Sequence, residues 1–201
     1  MTTDTGKLSG QRVAGGLLMV TSILAIFLMA HHPTNADGAG PIRAMHGAIM
    51  LAMVAQAIGF LLFARSRASG WAVAAMMVFA LALVAGLGAG TINGFVVAAM
   101  IDAGNTSYAP LLWAANQALA AAGAIATGLA FGLWGIDLWR AGWRIIGASG
   151  LITGLATSVL LIAGSLSMNL HGAQLVYAAQ ALWAAALGAA LLRGGWSSEG
   201  P

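Results

Sequence analysis

Long apolar runs separated by short polar stretches dominate this chain. Six of them cover residues 13–30, 44–64, 71–101, 110–136, 145–168 and 172–192. Each run is close to or above the roughly 20 residues that an α-helix needs to cross a hydrocarbon core of about 30 Å. The pattern predicts an all-α integral membrane protein. Residues 1–201 would form a single membrane domain, a bundle of six transmembrane helices.

The first run allows a second interpretation, because Lys7 and Arg12 precede it as the basic region of a secretory signal peptide would. Leu28 stands where a cleavage site needs a small side chain. The sequence therefore favours a retained first membrane helix.

Composition supports a membrane protein and excludes several kinds of chemistry. The chain is 60% hydrophobic and 6% charged, with a mean hydropathy of +0.90, so it could not cover a soluble globule with polar side chains. It contains no cysteine, which excludes disulfides, thiolate metal sites, iron–sulfur clusters and covalently attached haem. Its eight basic residues form no run that could follow a nucleic-acid backbone, so we expect no nucleic-acid partner.

The basic residues predict the orientation of the bundle. Six spans bring both termini to the same side of the membrane, and only Arg43 falls on the other side. The remaining basic residues share the side of the termini: Lys7, Arg12, Arg65, Arg67, Arg140, Arg144 and Arg193. The positive-inside rule therefore predicts cytoplasmic N- and C-termini in a multi-pass protein, as in a bacterial cytoplasmic (inner) membrane.

Two stretches of the chain resemble each other. The segment from Met45 to Ala48 and the segment from Leu170 to Ala173 share His-Gly-Ala, and the distance from this histidine to a later Gly-Trp is the same in both. The similarity allows an internal repeat of helical hairpins.

Glycines predict close packing of the helices. Pairs spaced four residues apart, where helix backbones can approach closely, occur at 90 and 94, at 128 and 132, and at 150 and 154. The third apolar run is also too long for a perpendicular span, so it must tilt, project or break. We expect tilting.

All four histidines fall on the predicted outer side, and His46 and His171 form the first candidate site. Both begin helices that run inward, so we expect them at a similar depth. The positive end of a helix dipole favours neutral imidazole, the form that binds metal. This predicts axial ligation of a b-type haem.

Four neighbouring residues complete the haem hypothesis. Gly47 and Gly172 would leave room for a flat cofactor, and Gln174 would orient a ligand or bind the cofactor. Arg43 would pair with a haem propionate, unless it pairs with Asp37 or Asp102. The function favoured by the sequence is electron transfer or a quinone-linked redox step.

Two other hypotheses remain open. The first is a copper or other metal site that adds His31 and His32 to the pair, together with Met45 and Met168, because thioether and imidazole suit copper(I). His32 also precedes Pro33, which favours a helix terminator. The second is a non-catalytic membrane subunit or assembly partner, whose histidines bond only water, headgroups or loop carbonyls.

The partners predicted from the sequence are the lipid bilayer, a quinone or redox protein, and an oligomer or larger membrane complex. No acidic residue is expected at mid-membrane. This counts against an ion-coupled transporter, which usually keeps an ionisable group there.

Overall fold

The computed structural model describes residues 3–33, 38–105 and 107–194, with side chains from residue 10 onward. This part of the chain is helical, without strands. Its six long helices are α1 (Thr3–Ala30), α2 (Ala39–Arg67), α3 (Gly70–Asp102), α4 (Ala109–Arg140), α5 (Arg144–Ile162) and α6 (Leu170–Leu192). All six are long and apolar enough to cross a membrane. The prediction of an all-α chain with six helices of membrane-spanning length and hydropathy is confirmed.

The two ends of the bundle differ in chemistry. We call one the histidine end: α1, α3 and α5 finish there, and α2, α4 and α6 begin there. We call the opposite end the arginine end. Helix α2 finishes there at Arg67 and α4 at Arg140, and α5 begins there at Arg144. Helix α1 packs against α2 and α6, α3 against α2 and α4, and α4 against α5.

Glycines allow the backbones of α4 and α5 to touch. A Cβ on Gly154 would collide with the carbonyl oxygen of Gly128, and a Cβ on Gly135 would lie 2.7 Å from the carbonyl oxygen of Gly147. Ser158 adds a hydrogen bond of 3.2 Å from its hydroxyl to the carbonyl oxygen of Ile125. The glycine pattern thus predicted the close approach of α4 and α5 through Gly128 and Gly154, whereas a Cβ on Gly132 would meet open space.

A cluster of aromatic rings fills the half of the bundle nearer the arginine end. Phe60 stacks on Trp134 with ring centroids 4.5 Å apart, and Phe131 lies 4.2 Å from Trp183. Phe60 also lies 4.7 Å from Phe79. These rings are almost completely buried, so this half has a solid core.

A buried ion pair connects three helices at the arginine end. Arg67 Nε donates to Asp137 at 2.6 Å, and the Ser69 hydroxyl donates to the other carboxylate oxygen at 2.5 Å. The Ser69 hydroxyl oxygen also accepts from the backbone N–H of Ala72 and caps α3. Arg140, three residues from Asp137 on the same helix, is the partner that spacing alone would indicate. The structure provides Arg67 instead, because the turn between α2 and α3 lies over α4.

Two helices depart from the predicted runs. Helix α5 ends at Ile162, six residues before the end of the apolar run, where Gly164 adopts a left-handed φ of 69°. Helix α3 remains continuous, but its residues Ile92–Val97 form a π-helix. The tilt expected from the length of the third run stays a prediction.

Candidate functional site

A cavity of about 510 Å³ occupies the half of the bundle nearer the histidine end. Helices α1, α2, α3, α4 and α6 contribute its walls, and α5 contributes none. Phe79 and Phe131, which belong to the aromatic cluster, form its floor. The solid core therefore lies directly beneath a hollow region.

His46 is a buried residue of the cavity wall. It is the eighth residue of α2, and its imidazole is held by the preceding turn, where Nδ1 lies 2.8 Å from the carbonyl oxygen of Ile42. A carbonyl oxygen can only accept, so Nδ1 of His46 carries the proton. Its Nε2 atom is left as an acceptor that faces the cavity.

His32 faces His46 from the connection after α1. Its Nδ1 atom lies 3.0 Å from the carbonyl oxygen of Pro33, so this Nδ1 must also be the donor. The Nε2 atoms of His32 and His46 are 3.2 Å apart, and the rings meet edge to face. We call these two residues the histidine pair.

As two neutral rings, His32 and His46 cannot form a hydrogen bond between their Nε2 atoms, because neither Nε2 carries a proton. With both Nδ1 atoms protonated, the two Nε2 lone pairs oppose each other. The amide nitrogen of Asn93 donates to Nε2 of His46, but a direct bond between the two rings needs a proton or another cation between them. Burial lowers the pKa of His32, and this outweighs the opposite effect of its bond to the Pro33 carbonyl. A shared proton is thereby disfavoured.

The spacing of the pair suits a bare metal ion. For nitrogens 3.2 Å apart and imidazole–metal bonds of about 2.0–2.1 Å, the angle at the metal is about 100–105°, close to tetrahedral. A haem between the two rings would need collinear bonds and nitrogens about 4 Å apart. The pair fits an ion and does not fit a haem.

The π-helix of α3 brings a third polar group to the pair. Asn93 lies within it, and its Nδ2 atom is 3.0 Å from Nε2 of His46. The next residue, Gly94, packs directly against the side chain of His46, and a Cβ there would collide with it. π-Helical segments often occur at functional sites, and this one positions both Asn93 and the imidazole of His46.

Other polar side chains of the cavity tie helices together. Gln56 donates to the Ser22 hydroxyl at 3.1 Å, and Gln180 donates to the carbonyl oxygen of Ala124 at 3.0 Å. Met29 and Met168 line the same cavity as the histidine pair. The region thus combines imidazole, amide and thioether groups.

The structure does not bring His171 to His46. His171 is exposed, is absent from the cavity wall and is only the second residue of α6. Helix α2 begins at Ala39, well before the predicted start, so His46 lies two turns inside its helix, whereas His171 lies in the first turn of α6. The histidine that meets His46 is His32.

The other residues of the haem hypothesis have structural partners. Gly172 packs against the carbonyl oxygen of Ser167, while Gly47 has open space beside it. Gln174 donates to the carbonyl oxygen of Met29 at 2.9 Å and joins α6 to α1. Arg43 forms an ion pair of 2.5 Å with Asp102, the alternative already open from the sequence. The other alternative, Asp37, lies outside the described residues.

The other residues of the copper hypothesis lie partly in the cavity wall and partly outside it. Met168 is buried in the cavity wall, whereas Met45 lies outside the cavity, near His31 and His32. His31 is exposed, and its Nδ1 donates to the carbonyl oxygen of Phe27 at 2.9 Å. Of the four histidines, the structure therefore joins only His32 and His46.

Sequence reasoning missed Asn93 as a member of the site. Its neighbours Gly90 and Gly94 indicated a close approach of backbones, but a π-helix has no simple sequence signature. His32 was interpreted as a helix terminator, and the same Pro33 that ends the helix supplies the carbonyl that fixes its ring. Within residues 3–33, 38–105 and 107–194, no three histidine or acidic side chains cluster as a metal site.

Comparison with known proteins gives no match: no protein-family model, no curated protein and no solved structure is significantly similar to this chain. The interpretation of the site therefore depends on its own geometry.

Proposed function

We propose that this protein binds one transition-metal ion between His32 and His46 and handles that metal at the outer face of the membrane. The observation that carries the proposal is the opposition of two Nε2 atoms at 3.2 Å, each on a ring whose Nδ1 is bound to a backbone carbonyl. Metal-ligating histidines typically have their second nitrogen fixed in this way.

The surrounding groups favour copper. Imidazole alone suits zinc, copper, iron and nickel, but thioether ligands select copper(I). Met29 and Met168 line the cavity together with the pair. Asn93 could add its carbonyl oxygen by turning its amide, since the nitrogen and oxygen of an amide are exchanged by a simple flip.

The site lies at the histidine end, and the positive-inside rule predicts that this end faces away from the cytoplasm. A metal bound there would be taken from or delivered to the space outside the cytoplasm. This is why we propose metal handling, and not a redox step on a cytoplasmic substrate.

The proposal is tested by loading the purified, detergent-solubilised protein with copper(I) and, separately, with zinc(II), and measuring the bound metal by elemental analysis after desalting. We expect about one ion per chain, with copper held more tightly. His32→Ala and His46→Ala should each weaken binding at least tenfold, because a single imidazole remains.

His171→Ala is the matched control, since this histidine is exposed and outside the cavity. It should bind metal like the unaltered protein. The proposal is contradicted if the unaltered protein retains neither metal, or if loss of His46 changes binding no more than loss of His171 does. Absence of both metals would favour a non-catalytic membrane subunit.

A further inference from the structure

The cavity beneath the histidine pair is larger than a metal ion requires. Its volume of about 510 Å³ lies within the range of about 300–1,000 Å³ typical of sites for small organic ligands. It reaches from His46 to Gln56 along α2, a distance of about 15 Å at the rise of a helix. This depth extends from the histidine end to the aromatic floor.

Three polar side chains of the cavity wall are without a hydrogen-bonding partner among the described residues. Gln117 and Thr127 belong to α4, and Tyr177 belongs to α6. A ligand that fills the cavity without offering polar atoms would leave these groups cut off from water and unpaired, which is unfavourable. The amides of Asn116 and Gln180, by contrast, are bound to backbone carbonyls. The three free groups are therefore available to a ligand.

The depths of two of these groups can be compared through a contact between their helices. Gln180 of α6 donates to the carbonyl oxygen of Ala124 of α4, and both helices run from the histidine end to the arginine end. Tyr177 is accordingly level with residue 121 of α4. Gln117 lies one turn, roughly 6 Å, nearer the histidine end. The two groups thus face the cavity at separate depths.

The exposed part of the wall indicates how a ligand enters. Nearly all of the cavity's lining residues are buried or half-buried, and three are exposed: Trp113, Asn169 and Leu170. Trp113 is near the start of α4, and the other two are at the start of α6. The opening therefore lies between the first turns of these helices, within reach of the outer leaflet.

We propose that this cavity binds an amphipathic molecule with an oxygen-bearing ring, of the quinone or quinol class. Gln117 and Tyr177, about one helix turn apart in depth, can bond oxygens on different edges of the ring, and an acyl chain alone would leave them unpaired. Phe79 and Phe131 lie deeper, at the floor, and offer apolar surface to the part of the molecule that carries no oxygen. The proposal concerns binding and does not depend on metal at the histidine pair.

The test is a titration of the purified protein with tetramethyl-1,4-benzoquinone, followed by quenching of tryptophan fluorescence. Trp113 lines the cavity and should report on occupancy. We expect saturable quenching in the unaltered protein. Trp113→Phe should remove part of the saturable signal.

Matched variants of α4 separate cavity binding from partition into detergent. Ala120 lines the cavity, whereas Ala118 is exposed on the same helix. Ala120→Phe should weaken binding at least tenfold by filling the cavity, and Ala118→Phe should have no effect. Gln117→Leu should also weaken binding, because it removes a hydrogen-bonding amide while the side-chain volume stays nearly the same. This variant provides the test if Ala120→Phe does not fold.

Three results would overturn the proposal: quenching that never saturates, equal binding by Ala120→Phe and Ala118→Phe in folded protein, or equally effective displacement of the quinone by decanoic acid, which has no ring. The metal proposal fails separately, because its test follows loss of His32 or His46. If the protein binds quinone but no metal, the quinone proposal stands and the metal proposal fails.

Discussion

At the scale of single residues, identical sequence contexts lead to different environments. His46 and His171 are each followed by Gly-Ala, yet the first is buried and the second exposed. The difference arises from helix starts, since α2 begins seven residues before His46 and α6 begins one residue before His171. Pro41, in the first turn of α2, is compatible with this early start. No local pattern around the histidines carries this information.

The contact between Gly94 and His46 gives the first prediction at this scale. Gly94→Ala would place a methyl group against the His46 side chain, where neither group can move freely. We expect a loss of about 1–3 kcal/mol in the free energy of unfolding, typical of overpacking. Denaturant titration in detergent, followed by circular dichroism, measures it.

Gly47→Ala is the control for this change, because the new methyl group would meet open space. It should be neutral or stabilise the helix by up to about 1 kcal/mol. An equal effect of the two substitutions would show that Gly94 does not restrict His46.

At the scale of helices, the sequence predicted which segments cross the membrane but not how they are held together. Hydropathy identifies a span because a chain in hydrocarbon must satisfy its backbone within a helix. The same helices are apolar on all sides, so periodicity does not reveal which face packs inward. The π-helix at Ile92–Val97 and the pairing of Arg67 with Asp137 depend on neighbouring helices. Neither could be found from the segment itself.

Two ion pairs provide a contrast at this scale. Arg67 and Asp137 are 7% and 5% exposed, whereas Arg43 and Asp102 are 40% and 54% exposed. Removing one partner of a buried pair typically costs about 3–5 kcal/mol, because the other charge is left buried. We therefore expect Asp137→Ala to lower the free energy of unfolding by roughly that amount.

Asp102→Ala is the matched change at the exposed pair, and we expect it to cost at most about 1 kcal/mol. Both variants would be compared by denaturant titration in the same detergent. A similar loss in the two would mean that burial does not govern the contribution of these pairs.

At the scale of the whole molecule, the bundle is solid toward the arginine end and hollow toward the histidine end. The sequence placed the histidines together at one end, and the structure confirms this grouping. The cavity could not be predicted, because its wall uses the same small and apolar residues that pack tightly elsewhere. Only the contacts of the complete bundle distinguish an alanine at the cavity from one at lipid.

Orientation in the membrane is a prediction for the whole molecule. The chain has no cysteine, so single cysteines can be introduced at exposed Ser107, at the histidine end, and exposed Ala68, at the arginine end. In intact cells we expect a membrane-impermeant maleimide to label Ser107→Cys and not Ala68→Cys. After permeabilisation both should react. The reverse pattern would place the histidine pair on the cytoplasmic side.

The two members of the histidine pair belong to different kinds of structure, since His46 is anchored in a helix and His32 stands on the connecting chain after α1. If an ion binds as we propose, it would join His32, after the end of α1, to His46 within the helix bundle. Exchange of that ion would then require only that the His32 ring turn away from His46, while the six helices stay in place. Capture and release could be fast without any rearrangement of the membrane-embedded scaffold.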